Sequence, residues 1–423
     1  MTDRAMEGAA EARVVEGRVV EGRVVEGLSA RRAALAMIDA VLRRGQRFDA
    51  LPAAGLAPAD EGLARAIAGE VFRWLVDLDA LIDSATAQPL PHDAKARAVL
   101  RVALAQTLVL GTPPHAAIAT ALPFVSGGPK RLVHGIFGTL TRRAARLPEV
   151  PTLPEAARAR WGAAWGYAML GQAARALAMP PLPGLTLRAA DDDGGVGGEV
   201  LGPVQRRLPR GTPIEALPSF ASGHWWVQNV AASIPARLLG QGDGRTALDL
   251  CAAPGGKTMQ LAAQGWRVIA IEHHEKRAVR LRENLARTRL DAEIVIADVM
   301  DWSPPGPVDA ILLDAPCSAT GIFARHPDVL HRIGAKDIAT LAQLQTRLLA
   351  RAAEWLSPTG RLVYATCSVE PDEGERVVEA SGLTVDPIAI GELPPGFAPA
   401  TEGWLRILPE VGRDGFFIAR LKR

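Results

Sequence analysis

Two of the three cysteines stand in runs suited to chemistry: Asp314-Ala-Pro-Cys317-Ser and Thr366-Cys367-Ser368. Each run follows a short aliphatic stretch, Asp309–Asp314 or Arg361–Thr366, of the kind that forms a buried strand. Both thiols are therefore expected at the carboxyl ends of strands, over one crevice. A thiolate is the natural nucleophile for an electron-poor ring. Methylating carbon 5 of a pyrimidine needs such help, because that carbon attacks a methyl sulfonium only after addition at carbon 6 has made the ring an enamine. A carboxyl group near ring nitrogen 3 would stabilise the adduct, and Asp314 is placed for it. Free cysteines are more often small buried hydrophobes. Their strand-end position beside Pro and Ser favours chemistry for these two, whereas Cys251 ends another strand and reads as a wall residue.

A second stretch, Thr246–Thr258, reads T-A-L-D-L-C-A-A-P-G-G-K-T. It predicts a buried strand, a tight turn through Gly255 and Gly256, and a helix opening at Lys257, the unit that brings backbone N–H groups to a ligand. Asp249 lies inside that strand and needs a local partner. Glu272, Asp298 and Asp314 end the next three aliphatic runs, and Glu272 stands where a ribose-binding acid is expected. The turn lacks the full G-x-G-x-x-G pattern of a pyrophosphate site. S-adenosylmethionine thus fits better than a nicotinamide dinucleotide, although a dehydrogenase and a non-catalytic RNA-binding assembly factor remain alternatives on residues alone.

Positioning these groups takes alternating strands and helices. Arg267–Glu272, Glu293–Asp298, Asp309–Asp314, Arg361–Thr366 and Gly415–Leu421 read as strands, with Lys276–Leu290 and Asp337–Leu356 as helices. That alternation argues an α/β fold with a doubly wound, mostly parallel sheet and helices on both faces. Upstream, Arg31–Arg43, Ala64–Leu81, Val99–Leu110, His115–Val125 and Leu132–Leu147 carry helical periodicity and predict an all-α domain. Between Asp93 and Glu149 stand eight Lys or Arg and no acid, with Lys130, Arg131, Arg142, Arg143 and Arg146 crowding the end, a pattern that points to RNA contact. Residues 148–184 are rich in Pro and Ala. The Gly/Asp loop Asp191–Gly198 and the cluster Arg206, Arg207, Arg210 follow, a small α+β linker in this reading.

The chain has 423 residues, 48% hydrophobic and 22% charged, with a net charge of +2, so any nucleic-acid surface must be local. The cysteines form no CxxC pair, and no metal site is expected. No apolar run approaches the ~20 residues of a membrane span. Together with an N-terminus unlike a signal peptide, this leads to an expectation of a cytoplasmic protein, with nothing demanding more than a monomer. Residues 13–27 are three copies of R-V-V-E-G, read as part of a disordered tail over 1–27.

At its motifs the sequence resembles the RsmB (Sun/Fmu) branch of RNA 5-methylcytosine methyltransferases. The matching runs are C-A-A-P-G-G-K-T (Cys251–Thr258), D-A-P-C-S-A-T-G (Asp314–Gly321), R-H-P-D (Arg325–Asp328), Y-A-T-C-S (Tyr364–Ser368) and D-G-F-F-I-A-R-L (Asp414–Leu421). The resemblance implies a class I, Rossmann-like methyltransferase domain with S-adenosylmethionine held by Cys251, Ala252, Ala253, Pro254, Gly255, Gly256, Lys257, Glu272, Asp298 and Asp314. It also orders the cysteines: Cys367 as nucleophile, Cys317 as the residue assisting release, with Lys257 near the active site. Asp60–Leu75 and Pro113–Ala117 resemble the NusB-type RNA-binding domain of this branch, which implies small-subunit (16S) ribosomal RNA as partner. The same chemistry on tRNA or another rRNA site stays open. The branch's usual V-Q-D is Val227-Gln228-Asn229 here. The expected organisation is a tail over 1–27, a NusB-like helical domain over 28–150, the α+β linker over 151–225 and the methyltransferase domain over 226–423.

Overall fold

The computed structural model describes residues 27–52, 55–179 and 181–423. It also gives the backbone of two two-residue strands, β1 (Val19–Val20) and β2 (Arg23–Val24), paired antiparallel. The rest of the tail expected to be disordered lies outside the described residues. The chain divides into two compact units between Leu147 and Pro148.

The first unit is helical: α1 (Leu28–Arg44), α2 (Pro58–Arg73), α3 (Leu75–Ser84), α4 (Lys95–Leu108), α5 (Pro114–Ala121) and α6 (Gly127–Arg142). Apolar residues at helical spacing face one core, with Ile38, Ile67, Val71, Leu78, Leu100 and Val133 almost fully buried. α4 runs through its middle and is buried nearly all round. The helix expected over Ala64–Leu81 is two helices instead. They are broken at Trp74, whose φ of −106° and ψ of 16° leave the helical region, so that α3 can turn its own apolar stripe inward.

The acid-free basic run also needs correcting. Arg97 is 0% exposed and pairs with Asp79 at 3.1 Å and with Asp83. Arg101 forks onto Asp79 with two bonds of 2.8 Å. The acids that neutralise these two arginines stand on α3, earlier in the sequence, so they belong to the core. The exposed cations are Lys95, Lys130, Arg131, Arg142, Arg143 and Arg146.

The second unit opens with α7 (Glu155–Ala178), kinked where Gly166 takes a φ of 77°. A four-stranded antiparallel sheet follows, ordered β4 (Glu199–Gly202), β5 (Gln205–Arg207), β3 (Gly184–Leu187), β6 (Trp225–Val227). Asn229 then caps α8 (Val230–Arg237) by accepting the Ala231 N–H at 2.8 Å, a task that Asp would perform equally well.

The large sheet contains β7 (Thr246–Leu250), β8 (Arg267–Glu272), β9 (Glu293–Ile296), β10 (Val308–Asp314), β11 (Leu356–Thr366), β12 (Thr384–Val385), β13 (Leu405–Ile407) and β14 (Phe416–Lys422). Its order is β12-β14-β11-β10-β7-β8-β9, with β13 on β14; the five strands β7 to β11 are parallel and β14 is antiparallel to β11. Helices α9 (Gly256–Ala263), α10 (Glu275–Thr288), α11 (Val329–Arg332), α12 (Ala335–Glu354) and α13 (Glu375–Glu379) fill the connections. Along β10, Ile311 and Leu313 join one core while Ala310 and Leu312 join another, as period-2 alternation in a sheet covered on both faces requires. Chain order reverses between β7 and β10, so the crevice lies at the carboxyl ends of those strands. Among the described residues no helix is long and apolar enough to cross a membrane.

Breaking the buried arginine cluster should be costly. Arg97→Ala leaves the carboxylates of Asp79 and Asp83 without their shared cation, and we expect a loss of about 3–5 kcal/mol in chemical denaturation of the full-length protein. A loss below about 1 kcal/mol would assign the cluster a surface-like role.

Candidate active site

Every strand end expected to carry chemistry lies at this switch point or beside it. The β7 turn begins at Cys251, a non-glycine residue at a φ of 66°, and continues through Gly255 at 103°. A Cβ on Gly255 would also lie 2.5 Å from Leu281 of α10, so only glycine lets the turn close onto that helix. Asp249 is 1% exposed and finds its partner in Thr258, whose hydroxyl donates to Oδ2 at 2.6 Å. Its Oδ1 is buried without a hydrogen-bond partner. Burial, only partly offset by Thr258, pushes the Asp249 carboxyl up to about 7, with neighbouring Asp314 and Glu272 adding to the rise.

Glu272, at the end of β8, is buried and accepts the N–H groups of Ala253 (3.2 Å) and His274 (3.0 Å). Arg277 reaches its Oε1 at 3.4 Å and the Ala253 carbonyl at 2.7 Å, stapling the turn to the strand end. Asp298 lies two residues beyond β9, is 43% exposed and accepts the Met300 N–H at 2.8 Å. Asp314 ends β10 and receives the Lys257 ammonium at 2.6 Å. Burial opposes the Lys257 charge, but Asp314, Asp249 and Cys367 outweigh it and raise its proton affinity.

The two reactive-type cysteines meet. β10 and β11 pair in register, Asp314 against Ala365, and the ladder continues with Ala315 N–H donating to the Ala365 carbonyl at 3.0 Å. The following turns bring the Cys317 and Cys367 sulfurs to 3.4 Å. Gly321 makes this approach possible: its N–H donates to the Cys367 carbonyl at 2.9 Å, and a Cβ there would lie 2.1 Å from the Gly415 oxygen. The hydrogen bond with Cys367 comes first among the causes that push the Cys317 thiol up, followed by burial and by the charges of Cys367 and Glu373. Cys251 is pushed up to about 12 by burial and by Asp314, Glu272 and Asp249, a direction that disfavours its thiolate.

Several residues around the site escaped the sequence reading. Glu373, 0% exposed, accepts from Ser318 and Ser368, the residues after the two cysteines. Glu370 accepts the Trp161 indole at 2.9 Å and a two-pronged contact from Arg160 at 3.2 Å, while Trp165 donates to the Val369 carbonyl at 2.8 Å. The α7 residues involved did announce themselves, since Ala157, Trp161, Met169 and Ala173 keep helical spacing. Arg325 pairs with Asp414 at 2.9 Å, joining two of the matched motifs.

The residues fit S-adenosylmethionine. The turn Cys251–Lys257 offers a glycine-built backbone approach at the carboxyl end of β7, Glu272 and Asp298 offer carboxylate acceptors suited to ribose hydroxyls, and Asp249 keeps one buried oxygen without a partner. A raised Asp249 has a thermodynamic signature. Between pH ~4 and ~7 the native state holds a proton that the unfolded state has released, so its contribution to stability falls as pH rises across that window. Asp249→Asn keeps an acceptor for Thr258 and should lose this decline. Denaturant midpoints at pH 5 and pH 7 check it, and identical pH dependence in both proteins would refute the shift.

Both units of the chain resemble known proteins. Residues 236–422 match the family described as 16S rRNA methyltransferase RsmB/F, and residues 28–127 match the NusB family. The chain is 34% identical to ribosomal RNA small subunit methyltransferase B of Pseudomonas putida, over 93% of this chain and 98% of that protein. It is 36% identical to the protein of the same name from Xylella fastidiosa, over 86% and 89%. Among solved structures, PH0851 superposes with a TM-score of 0.71 at 21% identity, covering 96% of this chain and all of that one. A methyltransferase homolog from Pyrococcus horikoshii superposes with a TM-score of 0.52 at 27% identity, covering 63% and 94%. The fold is that of the S-adenosylmethionine-dependent methyltransferases, preceded in the chain by a NusB-like helical unit. Across nearly its whole described length, the chain belongs to the RsmB/F family of 16S rRNA methyltransferases.

Proposed function

We propose that the protein methylates carbon 5 of one cytosine in 16S rRNA through a covalent cysteine adduct. The observation that carries this reading is the 3.4 Å contact of Cys317 and Cys367 beside the Asp314–Lys257 pair. The cofactor supplies an electrophilic methyl group on sulfonium. Cys367, as thiolate, adds to carbon 6, and the ring electrons move onto carbon 5. In this reading Asp314, held by Lys257, supplies the carboxyl group that supports ring nitrogen 3. Once carbon 5 carries the methyl group, its proton must leave so that the ring double bond re-forms and the Cys367–carbon bond breaks.

Cys317 suits that last step. While Cys367 is free, their mutual hydrogen bond and charge hold the Cys317 proton tightly. Forming the carbon–sulfur bond turns Cys367 into a neutral thioether and removes both influences, so that Cys317 can pass its own proton to solvent and, as thiolate, accept the carbon-5 proton. The exposed cations of the helical unit, Lys130, Arg131, Arg142, Arg143 and Arg146, support contact with the RNA backbone. The reaction is assigned to a monomer in the cytoplasm, with naked rRNA or a partly assembled small subunit as substrate.

Cys317→Ala should accumulate a denaturation-resistant protein–RNA adduct, and Cys367→Ala should form none; the reverse pattern would exchange the roles. Bisulfite sequencing of 16S rRNA with and without the gene should show one cytosine losing protection. An unchanged profile would move the substrate to another RNA.

A further inference from the structure

The strand ladder fixes β10 against β11 only as far as Ala315 and Ala365. Both sulfurs lie beyond that point, on separate turns, and their spacing needs a further tie. Glu373 provides it from a third segment, the turn Pro371–Glu373. Its Oε1 accepts the Ser318 N–H at 2.8 Å and Gln345 Nε2 of α12 at 3.0 Å. Its Oε2 accepts the Ser368 hydroxyl at 2.6 Å and the Ser318 hydroxyl. Four donors meet the roughly four lone-pair positions of an ionised carboxylate. Thr320 closes the cluster, its hydroxyl 3.1 Å from those of both serines.

Among the described residues no cation forms an ion pair with Glu373. A buried anion held by neutral donors alone is a costly way to join two loops, and burial pushes its carboxyl up accordingly. A neutral amide of the same size would spare the charge, but it presents one acceptor where two are needed. The carboxylate joins the residues that directly follow the two cysteines, and its charge is among the causes that keep the Cys317 proton bound.

We infer that Glu373 is a positioning residue for product release, fixing the Cys317 turn against Cys367 so that the carbon-5 proton can be taken from the adduct. This rests on the covalent cysteine reading given above. Attack by Cys367 depends less on the tie, because Cys367 follows directly on β11 and its carbonyl also accepts the Gly321 N–H, four residues beyond Cys317. Cys317 has no ladder bond of its own to β11; next to it, Ser318 is tied there through Glu373 and by its hydroxyl's direct contact with Ser368, and of these only Glu373 also holds the Ser318 N–H. Loss of Glu373 therefore slows the second half of the reaction more than the first.

The test uses the full-length protein, S-adenosylmethionine and 16S rRNA from cells lacking the gene. Glu373→Gln should lower multiple-turnover methylation about 100-fold, the cost of a small misplacement in an active site. Denaturation-resistant adduct should accumulate as it does with Cys317→Ala, and the double variant should trap no more. The thermal shift on adding S-adenosylhomocysteine should match wild type. Ser368→Ala, which leaves Glu373 its Ser318 and Gln345 donors but removes the Ser368 hydroxyl from Glu373, Ser318, Thr320 and the Glu370 N–H, should show the same pattern more weakly, and it decides the matter if Glu373→Gln does not fold. Wild-type turnover and adduct lifetime in the variants would overturn the inference, as would loss of turnover without adduct. Failure of wild type to methylate, together with absence of adduct in Cys317→Ala, would instead refute the cysteine chemistry.

Discussion

The pairing register of β10 constrains everything at the switch point. Asp314 faces Ala365 on one side, and Leu313 faces Leu250 on the other. Since side chains alternate faces, a slip of one residue would exchange the two cores and turn Asp314 away from Lys257. The same slip would separate Cys317 from Cys367. The register is strongly specified because both faces of the sheet are buried, so the packing of Ile311, Leu313, Ala310 and Leu312 indirectly fixes two sulfur atoms that none of them touches.

Upon that frame, electrostatics sorts three cysteines of equal intrinsic chemistry. Cys251 is pushed up first by burial and then by the charges of Asp314, Glu272 and Asp249. Cys367 lies close enough to Lys257 to favour that lysine's charge, so one cation serves Asp314 and the thiol alike. Cys317 is governed by its neighbour sulfur and by Glu373. One strand end thus holds a thiol held protonated by burial and charge, while at another the Cys317 proton is held chiefly by its hydrogen bond to Cys367.

Much of this was readable in the sequence, for identifiable reasons. Parallel strands buried on both faces are short aliphatic runs, and β8 spans the very residues expected, Arg267–Glu272. The acids and cysteines at their ends were legible because strand ends are where such an α/β sheet binds ligands. What escaped was whatever depends on distant partners. Arg97 and Arg101 looked like surface charge because Asp79 and Asp83 stand on another helix. Trp74 gave no Gly or Pro signal for the break it makes. Glu373 and Glu370 stand in a charged stretch after Cys367 to which the sequence pattern assigns no role, and only folding shows them both buried.

The grip of α7 on the segment after Cys367 bears on how such a protein can be divided or inherited. Trp161, Arg160 and Trp165 satisfy Glu370 and the Val369 carbonyl, and Phe323, Leu330 and Val369 pack beneath them. A fragment starting at residue 226, where the sheet-bearing domain begins by sequence pattern, would leave a carboxylate without its donors and an apolar floor open to water. The cassette that recombination can move intact therefore begins near Pro148, and the helix preceding the small sheet travels as part of the catalyst.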